Sequence, residues 1–350
     1  MPGHEYFMKR CIELALCGAG SVSPNPMVGS VIVADGKIIG EGYHQKYGEP
    51  HAEANAIADV IKNYPDAEQL LKRSVLYVNL EPCAHFGKRP PCSDLIIRYQ
   101  IPQVIVGCRD PFALVDGKGI EKLKEAGIRV IEGVLTDECL VLNRRFVTRV
   151  QKQRPFIILK WAQTSDGFFA PADGSQKWIS SSASKKLVHK WRAEEDAVLV
   201  GKNTALIDDP QLNVRLWAGR NPVRIVIDRN LQLQSTLKLF DQSQETIVFN
   251  SVKTELNGKI KFLELENFDH YLPQLICFQL YLMDIQSLII EGGAQTLKLF
   301  IDAGLWDEAR IFTSKRKWEH GIKAPDLHGQ QINSEPVGED ILQIWHNKKL

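Results

Sequence analysis

The sequence predicts two consecutive α/β domains, and three observations support that fold class. The chain has 350 residues, which is more than one hydrophobic core usually supports. Helix and strand signals alternate along both halves, as they do in layered α/β domains. A polar stretch that closes with a proline, Gln-Lys-Gln-Arg-Pro at residues 151–155, separates the halves. We therefore expect one domain over residues 1–150 and a second over residues 151–350.

Composition and charge exclude some classes of protein. Apolar residues make up 44% and charged residues 24% of the chain, and the net charge is only +1, so the total shows no basic surplus for a nucleic-acid groove. We find neither a span of roughly 20 apolar residues nor an apolar N-terminal signal segment, which favours a cytoplasmic protein. In a reducing compartment most of the seven cysteines should be small buried hydrophobic residues.

The elements of the first half follow from periodicity and turn signals. Residues 5–16 have apolar side chains at helical spacing, and the Asp35-Gly36 pair between apolar runs at 28–34 and 37–39 predicts a β-hairpin. Beyond the hairpin we expect helices at 51–64, 93–99, 120–126 and 137–150, and strands at 75–80, 103–107 and 128–132.

The second half repeats this alternation of strands and helices. Strands are expected at 156–161, 197–201, 223–228, 246–249 and 287–291, and helices at 182–193 and 294–303. Gly292 and Gly293 precede the last helix, where backbone N–H groups can bind a phosphate. They lack the G-x-G-x-x-G spacing of a standard dinucleotide site. The residues alone leave phosphate binding and simple turn chemistry both open.

Two short segments of the first half together indicate a catalytic metal site. The first contains His51 and Glu53, and the second contains Pro82-Cys83 and, nine residues later, Cys92. One imidazole and two thiolates leave a zinc ion with one open coordination position, as in catalytic sites. Glu53 is two residues from a ligand and is placed to carry protons. The signature of zinc deaminases is H-x-E followed by P-C-x-x-C, whereas eight residues separate the cysteines here. Singly, the first segment is more often a polar helix face, and the two cysteines of the second are more often a disulfide or a chance occurrence.

The first half resembles the deaminase domain of the bifunctional riboflavin-biosynthesis deaminase/reductases, the RibD family. That family has a long intercysteine loop, P-C-x-H-x-G-x-x-P-P-C, which residues 82–92 match, and residues 24–29 and 40–44 also match. The resemblance implies a cytidine-deaminase-like three-layer domain. It also implies a diaminopyrimidinone substrate that carries a ribosylamino 5′-phosphate. Asn25 and His44 would hold the pyrimidine or its sugar, and His85 and Lys88 would meet the phosphate. Arg89 stands where the family often has threonine or serine, and its role stays open.

The second half resembles the reductase domain of the same family, which implies a dihydrofolate-reductase-like α/β fold. NADPH would reduce the opened ribose of the deaminated product to a ribityl chain, and the resemblance also implies a homodimer formed through this domain. The residues on substrate positions are Lys160, Gln176, Arg192, Leu212, Arg215 and Glu291. Those on cofactor positions are Ala162, Trp178, Thr204, Asp208, Gly293, Ala294, Gln295, Thr296, Leu297, Lys298 and Leu299. Either Asp208 or Lys160 could assist proton transfer.

The reductase half departs from the family pattern at two places. In the K-x-A-x-S-L-D-G motif, Thr164 replaces serine and Ser165 replaces leucine, and residues 313–320 lack the A-P-x-x-x-G-G run. These departures leave open a deaminase with an inactive or scaffolding second domain. The balanced charge argues against a nucleic-acid base deaminase. Three evident ligands argue against a structural zinc domain, which usually has four.

Overall fold

The structure is a computed structural model that describes residues 3–85, 90–112, 115–173 and 179–348. It forms two compact units, Met1–Gln153 and Arg154–Leu350. Within the described ranges, no helix combines the length and the apolar character that a membrane span requires.

The first unit alternates helices and strands. Its elements are α1 His4–Leu16, β1 Gly29–Ala34, β2 Lys37–Tyr43, α2 Ala52–Asn63, α3 Ala67–Leu71, β3 Val75–Leu80, α4 Cys92–Arg98, β4 Gln103–Cys108, α5 Lys118–Glu125, β5 Arg129–Glu132, α6 Thr136–Leu142 and α7 Arg144–Lys152. The predicted hairpin is present, since Asp35 and Gly36 join β1 to β2 with positive φ angles of 51° and 75°.

The strands of the first unit lie in the order β2-β1-β3-β4-β5. β1 runs antiparallel to both of its neighbours, whereas β3, β4 and β5 are parallel. Side chains of α2, α3, α4 and α5 pack on one face of this sheet, and those of α1 and α6 pack on the other. The result is a three-layer arrangement in which the carboxyl ends of β3 and β4 open at the same edge.

The prediction of one long helix at residues 137–150 is wrong, because the chain forms two helices, α6 and α7, with a break at Asn143. The Asn143 side chain is buried and bonds the main chain of Met27. Its Oδ1 accepts from Met27 N at 2.8 Å, and its Nδ2 donates to Met27 O at 2.9 Å. This contact spans 116 positions and interrupts an otherwise helical pattern.

The second unit contains a larger mixed sheet. Its elements are β6 Phe156–Gln163, β7 Phe168–Ala170, α8 Ser182–Glu194, β8 Ala197–Gly201, α9 Lys202–Asp208, β9 Val223–Ile227, a 3₁₀ turn Lys238–Phe240, β10 Thr246–Asn250, β11 Glu255–Asn257, β12 Ile260–Glu264, α10 Leu272–Leu282, β13 Ser287–Gly292, α11 Ala294–Asp302, β14 Glu308–Thr313, β15 Ile322–Lys323, β16 Gln330–Val337 and β17 Asp340–His346.

The large sheet has the order β11-β12-β10-β9-β8-β13-β6-β14-β17-β16. Strands β12, β10, β9, β8, β13, β6 and β14 are parallel to their neighbours within this run. Side chains of α10 and α11 cover one face, and those of α8 and α9 cover the other. The C-terminal strands β16 and β17 add an antiparallel edge that the sequence analysis did not predict.

The polar stretch at residues 151–155 is not a free linker. Gln151 and Lys152 complete α7, and the Arg154 side chain is buried in the second unit. Its Nη1 and Nη2 donate to the two carboxylate oxygens of Asp307, at 2.6 and 2.8 Å.

Candidate active sites

Three side chains of the first unit converge on one point. The ligand atoms His51 Nδ1, Cys83 Sγ and Cys92 Sγ all lie within 4.8 Å of one another. His51 Nδ1 is 3.6 Å from Cys83 Sγ and 3.4 Å from Cys92 Sγ. Tetrahedral zinc, with Zn–N of about 2.0 Å and Zn–S of about 2.3 Å, requires nitrogen and sulfur to be about 3.5 Å apart. The donor set therefore fits zinc in both chemistry and spacing.

Local structure places each of these donors. His51 is the N-cap residue of α2, Cys83 follows β3, and Cys92 is the first residue of α4. Cys92 N donates to Cys83 Sγ at 3.3 Å, so the main chain at the start of α4 stabilises negative charge on that sulfur. Hydrogen bonding with the Cys92 thiol lowers the pKa of Cys83 to about 4. The same contact raises the pKa of Cys92 well above its ordinary value.

Glu53 lies in the first turn of α2 and is buried beside this cluster. Burial raises the pKa of its carboxyl to about 6, and the negative Cys83 sulfur adds to the shift. A carboxyl whose pKa is near the working pH can both accept and donate a proton. The arrangement is therefore suited to general acid–base work.

Asn25 and His44 form a second pair in this unit. His44 Nδ1 lies 3.1 Å from Pro50 O, and His44 Nε2 lies 3.0 Å from Asn25 Nδ2. Because the carbonyl can only accept, His44 donates from Nδ1 and accepts at Nε2. Burial lowers the pKa of His44, which favours this neutral form. Its ring centroid is 5.3 Å from that of His51, so the pair adjoins the candidate metal centre.

The intercysteine loop is described only in part. His85 is half-buried, and its ring centroid is 6.1 Å from that of Phe112. Its Nδ1 is buried and has no hydrogen-bond partner within the described part of the chain. Lys88 and Arg89 lie outside the described residues.

In the second unit, a buried carboxylate brings together three of the predicted substrate residues. Glu291 accepts from Arg192 through both oxygens, with Nε at 2.6 Å and Nη2 at 2.8 Å, and Lys160 Nζ is 3.8 Å from Glu291 Oε2. Although burial opposes charge on Glu291, Arg192 and Lys160 hold its pKa at about 2. Burial lowers the pKa of Lys160. Two cationic side chains, Arg192 and Lys160, are therefore already grouped around the single carboxylate of Glu291.

Arg215 is joined to that cluster through Asn213. Arg192 Nη1 donates to Asn213 O at 3.2 Å, and Arg215 Nη1 donates to Asn213 Oδ1 at 2.9 Å. Arg215 N donates to His189 Nδ1 at 3.3 Å. Burial, together with the nearby Arg192, lowers the pKa of His189 to about 4. Leu212 is 2% exposed and packs in the core, and its carbonyl oxygen accepts from Gln244 Nε2 at 3.4 Å.

Part of the predicted cofactor set surrounds the turn that precedes α11. Gly293 is the N-cap residue of this helix, with φ of +73°. A Cβ atom added to Gly293 would lie 3.3 Å from both Thr204 Oγ1 and Thr296 Oγ1, and one on Gly201 would lie 2.4 Å from Thr296 Oγ1. Small residues and a helix N-terminus at this point suit the phosphate groups of a dinucleotide.

The remaining cofactor positions are more dispersed. Ala162 lies in β6, and Asp208 ends α9, where burial raises its pKa. Along α11, Leu297 is buried in the core, Gln295 is exposed, and Ala294 and Leu299 are half-buried. Lys298 is exposed, and its Nζ donates to Asp302 Oδ1 at 2.9 Å. Gln176 and Trp178 lie outside the described residues.

The sequence analysis missed three polar residues that the structure brings to these sites. His189 lies one helical turn before Arg192 on α8, so helical spacing could have found it. Asn213 belongs to the polar segment that contains Arg215. Asp110 follows β4 at the edge where β3 also ends, and burial raises the pKa of its carboxyl to about 7.

Comparison with known proteins identifies both halves of the chain. Residues 1–108 match the family model of the cytidine and deoxycytidylate deaminase zinc-binding region, and residues 155–314 match that of the RibD C-terminal domain. The riboflavin biosynthesis protein RibD of Aquifex aeolicus is 40% identical over 96% of both chains. The chain belongs to the RibD family. RibD of Escherichia coli is 35% identical over 89% of this chain and 88% of its own.

Solved structures give the same result for the whole chain. One is a diaminohydroxyphosphoribosylaminopyrimidine deaminase/5-amino-6-(5-phosphoribosylamino)uracil reductase of Thermotoga maritima. It is 39% identical and covers 98% of both chains with a TM-score of 0.89. Acinetobacter baumannii RibD is 33% identical over 98% of both chains, with a TM-score of 0.88. The predicted fold class, a cytidine-deaminase-like three-layer α/β domain followed by an α/β reductase domain, is confirmed.

Membership of the family also confirms the predicted activities. The protein is a bifunctional deaminase and reductase of riboflavin biosynthesis that acts on a small molecule, with zinc and NADPH as cofactors. A second domain that serves only as a scaffold is not favoured, because the RibD C-terminal match covers residues 155–314.

Proposed function

We propose that residues 1–150 hydrolytically deaminate 2,5-diamino-6-ribosylamino-4(3H)-pyrimidinone 5′-phosphate and that residues 151–350 reduce the ribosyl chain of the product to a ribityl chain. The single observation that carries the proposal is the convergence of His51, Cys83 and Cys92 beside Glu53. The substrate is the one expected from the names of the T. maritima and other RibD relatives.

In the proposed deaminase site, His51, Cys83 and Cys92 hold the zinc. When bound, zinc supplies the Lewis acidity that makes water a nucleophile near neutral pH. Glu53 would accept one proton from the attacking water and pass it to the ring nitrogen. It would then take the second proton from the new hydroxyl group on the ring carbon and pass it to the amino group, which leaves as ammonia while that carbon becomes a carbonyl. A pKa of about 6 supports this role, because the carboxyl can exchange its proton in both directions near neutral pH.

The substrate contacts of this site are also part of the proposal. Asn25 and His44 hold the pyrimidine or its sugar, and His85 and Lys88 meet the phosphate. The fixed hydrogen bonds of His44 support the first assignment, since they orient Asn25 beside His51. Within the described residues, His85 Nδ1 is buried without a hydrogen-bond partner. This supports the second assignment, because a ring N–H could donate to a phosphate oxygen.

In the proposed reductase site, NADPH supplies the hydride and the protein orients the reactants. Arg192 and Arg215 bind the substrate phosphate as forked donors, and Lys160, Gln176, Leu212 and Glu291 complete the substrate contacts. The cofactor contacts are Ala162, Trp178, Thr204, Asp208 and the run from Gly293 to Leu299. The Gly293 turn supports the cofactor assignment, since it begins a helix whose first backbone N–H groups can bind a phosphate.

A Glu53→Gln variant tests the deaminase proposal. The amide cannot carry a proton, so ammonia release from the diaminopyrimidinone ribosyl phosphate should fall by about 10²–10⁴-fold, while metal analysis still finds one zinc per chain. Wild-type ammonia release by this variant would remove Glu53 from the mechanism.

A separate assay tests the reductase proposal. Purified protein mixed with NADPH and the deaminated product should consume the absorbance of the reduced nicotinamide. The same E53Q variant serves as the control, because its reductase unit is unaltered and should retain the full rate. No NADPH consumption by either protein would leave the second unit without the proposed activity.

We also propose that the chain forms a homodimer through its reductase unit and works in the cytoplasm. The exposed edge strand β16 supports the first point, because its side chains are exposed along almost its whole length. The five cysteines other than the proposed zinc ligands Cys83 and Cys92 support the second, since they form no disulfide and reduced thiols are typical of a reducing compartment. Sedimentation of the purified full chain tests the dimer.

A further inference from the structure

Glu81 has a buried carboxylate that none of the site assignments uses. It is 4% exposed and lies two residues before Cys83. It accepts hydrogen bonds from four backbone N–H groups, those of Gly119 at 2.9 Å, Ile120 at 3.3 Å, Gly117 at 3.0 Å and Asp110 at 3.3 Å.

These four donors belong to the two segments that face the loop of Cys83. Gly117, Gly119 and Ile120 form the start of α5, whose first N–H groups have no partner inside the helix. Asp110 belongs to the loop after β4, and Glu81 N donates to Cys108 O at the end of β4 at 3.0 Å. The main chain just before Cys83 is therefore attached both to β4 and to α5.

Packing at Gly119 makes this attachment tight. A Cβ atom added to Gly119 would lie 1.9 Å from Pro82 O and 3.2 Å from Glu81 Oε1. The start of α5 therefore rests directly on the peptide group that leads into Cys83. On the other side, Ser93 N donates to Cys83 O at 3.2 Å and Cys92 N donates to Cys83 Sγ at 3.3 Å. Cys83 is thus held between the starts of two helices.

We propose that Glu81 is a positioning residue of the metal site, which holds Cys83 at the spacing from His51 and Cys92 that zinc requires. The inference rests on the zinc-dependent deamination proposed above. The same carboxylate also fixes the loop whose Asp110 Oδ1 accepts from Phe112 N at 2.8 Å. Since the Phe112 ring lies beside His85, this hydrogen bond extends the effect of Glu81 to the wall of the site.

A purely structural cap on α5 would give a different result from a positioning residue. Loss of a cap leaves buried donors unsatisfied and lowers the stability of the unit. Loss of a positioning residue also changes how long the metal is retained, because the ligands are no longer preorganised. The rate of zinc release therefore separates the two roles.

The experiment measures the rate of zinc release from the zinc-loaded full chain to an excess of a chelator whose absorbance changes when it binds zinc. Glu81→Gln removes the charge and presents an N–H₂ group to the backbone donors, so zinc release should be about tenfold faster or more. Glu81→Asp keeps the charge but has a shorter reach, so its release rate should be intermediate. Glu132→Gln is the matched control. Glu132 ends β5, and the change removes its ion pairs with Arg109 in the loop after β4 and with Lys124 in α5, without altering the loop of Cys83.

The kinetics of the two activities supply a second readout. With zinc present in excess, the kcat of deamination should fall in E81Q, while NADPH-dependent reduction by the same chain stays unchanged. Wild-type zinc release by both Glu81 variants would overturn the inference, whatever their unfolding temperatures. If E81Q does not fold, E81D decides by the same criterion. Failure of the wild type to bind zinc would instead contradict the proposed function.

Discussion

The two sites of the molecule hold their functional groups by different means. In the first unit, the proposed zinc ligands His51, Cys83 and Cys92 are positioned by the backbone at the starts of α2 and α4. In the second unit, Arg192 and Lys160 are positioned by an ion pair with Glu291. The first site therefore has its full donor set in place for a cation. In the second site, Arg192 and Lys160 already share the carboxylate of Glu291, so a bound phosphate would be a second anion for the same two cations.

The largest expected effect comes from breaking the first site. Cys83→Ala removes one of three zinc donors, so the chain should lose zinc. Its rate of ammonia release should fall by more than about 10²-fold, because loss of a residue that only hydrogen-bonds to a metal ligand already costs up to about that much. Reduction should be unaffected. All seven tryptophans follow residue 154, so fluorescence-monitored unfolding reports on the second unit and should match the wild type. Retained zinc would contradict the assignment of Cys83.

Breaking the second site should instead act mainly on stability. Glu291→Gln leaves Arg192 and Lys160 without their buried counter-charge, which typically costs about 3 kcal/mol of unfolding free energy. Urea unfolding followed by tryptophan fluorescence measures this cost. Glu266→Gln, at an exposed position of the second unit outside any helix or strand, provides the control and should match the wild type. Equal stability of E291Q and wild type would show that the cationic cluster does not depend on this carboxylate.

The stability that two carboxyl groups contribute, one in each unit, should also depend on pH in opposite directions, because their pKa values are shifted in opposite directions. The pKa of Glu291 is about 2, below its ordinary value, so its stabilisation is lost as pH falls through the interval between them. The pKa of Asp110 is about 7, above its ordinary value, so the folded state holds a proton that the unfolded chain releases. The stability that the protonated Asp110 carboxyl contributes is therefore lost as the pH rises from the ordinary pKa range of carboxyls to about 7.

An Asp110→Asn variant tests this sign. The amide does not titrate and its oxygen can still accept from Phe112 N, so the variant should gain stability relative to the wild type as pH rises from 5 to about 8. The zinc-dependent transition in calorimetry follows the first unit. A difference between the two proteins that does not change with pH would contradict the raised pKa.

The smallest expected effect is at Lys298. Its side chain is exposed and pairs with Asp302, so Lys298→Ala should cost no more than about 0.5 kcal/mol. The KM for NADPH should stay within about twofold, because the Lys298 side chain already pairs with Asp302 and solvent screens an exposed contact with the cofactor. A larger rise in KM would make Lys298 a principal cofactor contact.

The sequence predicted most where local signals and chemistry agree. The hairpin at Asp35-Gly36 and the parallel strands appear close to their expected positions, because turn residues and β-branched runs act locally. The spacing of His51, Glu53, Cys83 and Cys92 indicated their convergence, since each lies at the end of a predicted element. The reductase residues depended on the family pattern, because charged residues at helix and strand ends are common in any domain.

The structural features that the sequence did not predict either depend on contacts between distant residues or lack a periodic pattern of apolar side chains. The break at Asn143 results from its bonds to Met27, which no local pattern reveals. Helix α10 is apolar on nearly every side, so it has no helical stripe, and β16 is exposed almost throughout, so it has no alternation. The contacts of Glu81 join residues up to 39 positions apart, and a glutamate before a proline carries no signal of them.

The paired Arg154 and Asp307 determine where the chain can be divided for separate study of its halves. A fragment that starts at Phe156 would lose both Arg154 donors to the buried Asp307 carboxylate and keep the Ile157 N–H, 2.8 Å away. Such a fragment should be insoluble or poorly folded, whereas one that retains Arg154 keeps the charge balanced. The junction therefore belongs to the reductase half, and genetic dissection or domain grafting should cut on the α7 side of residue 154.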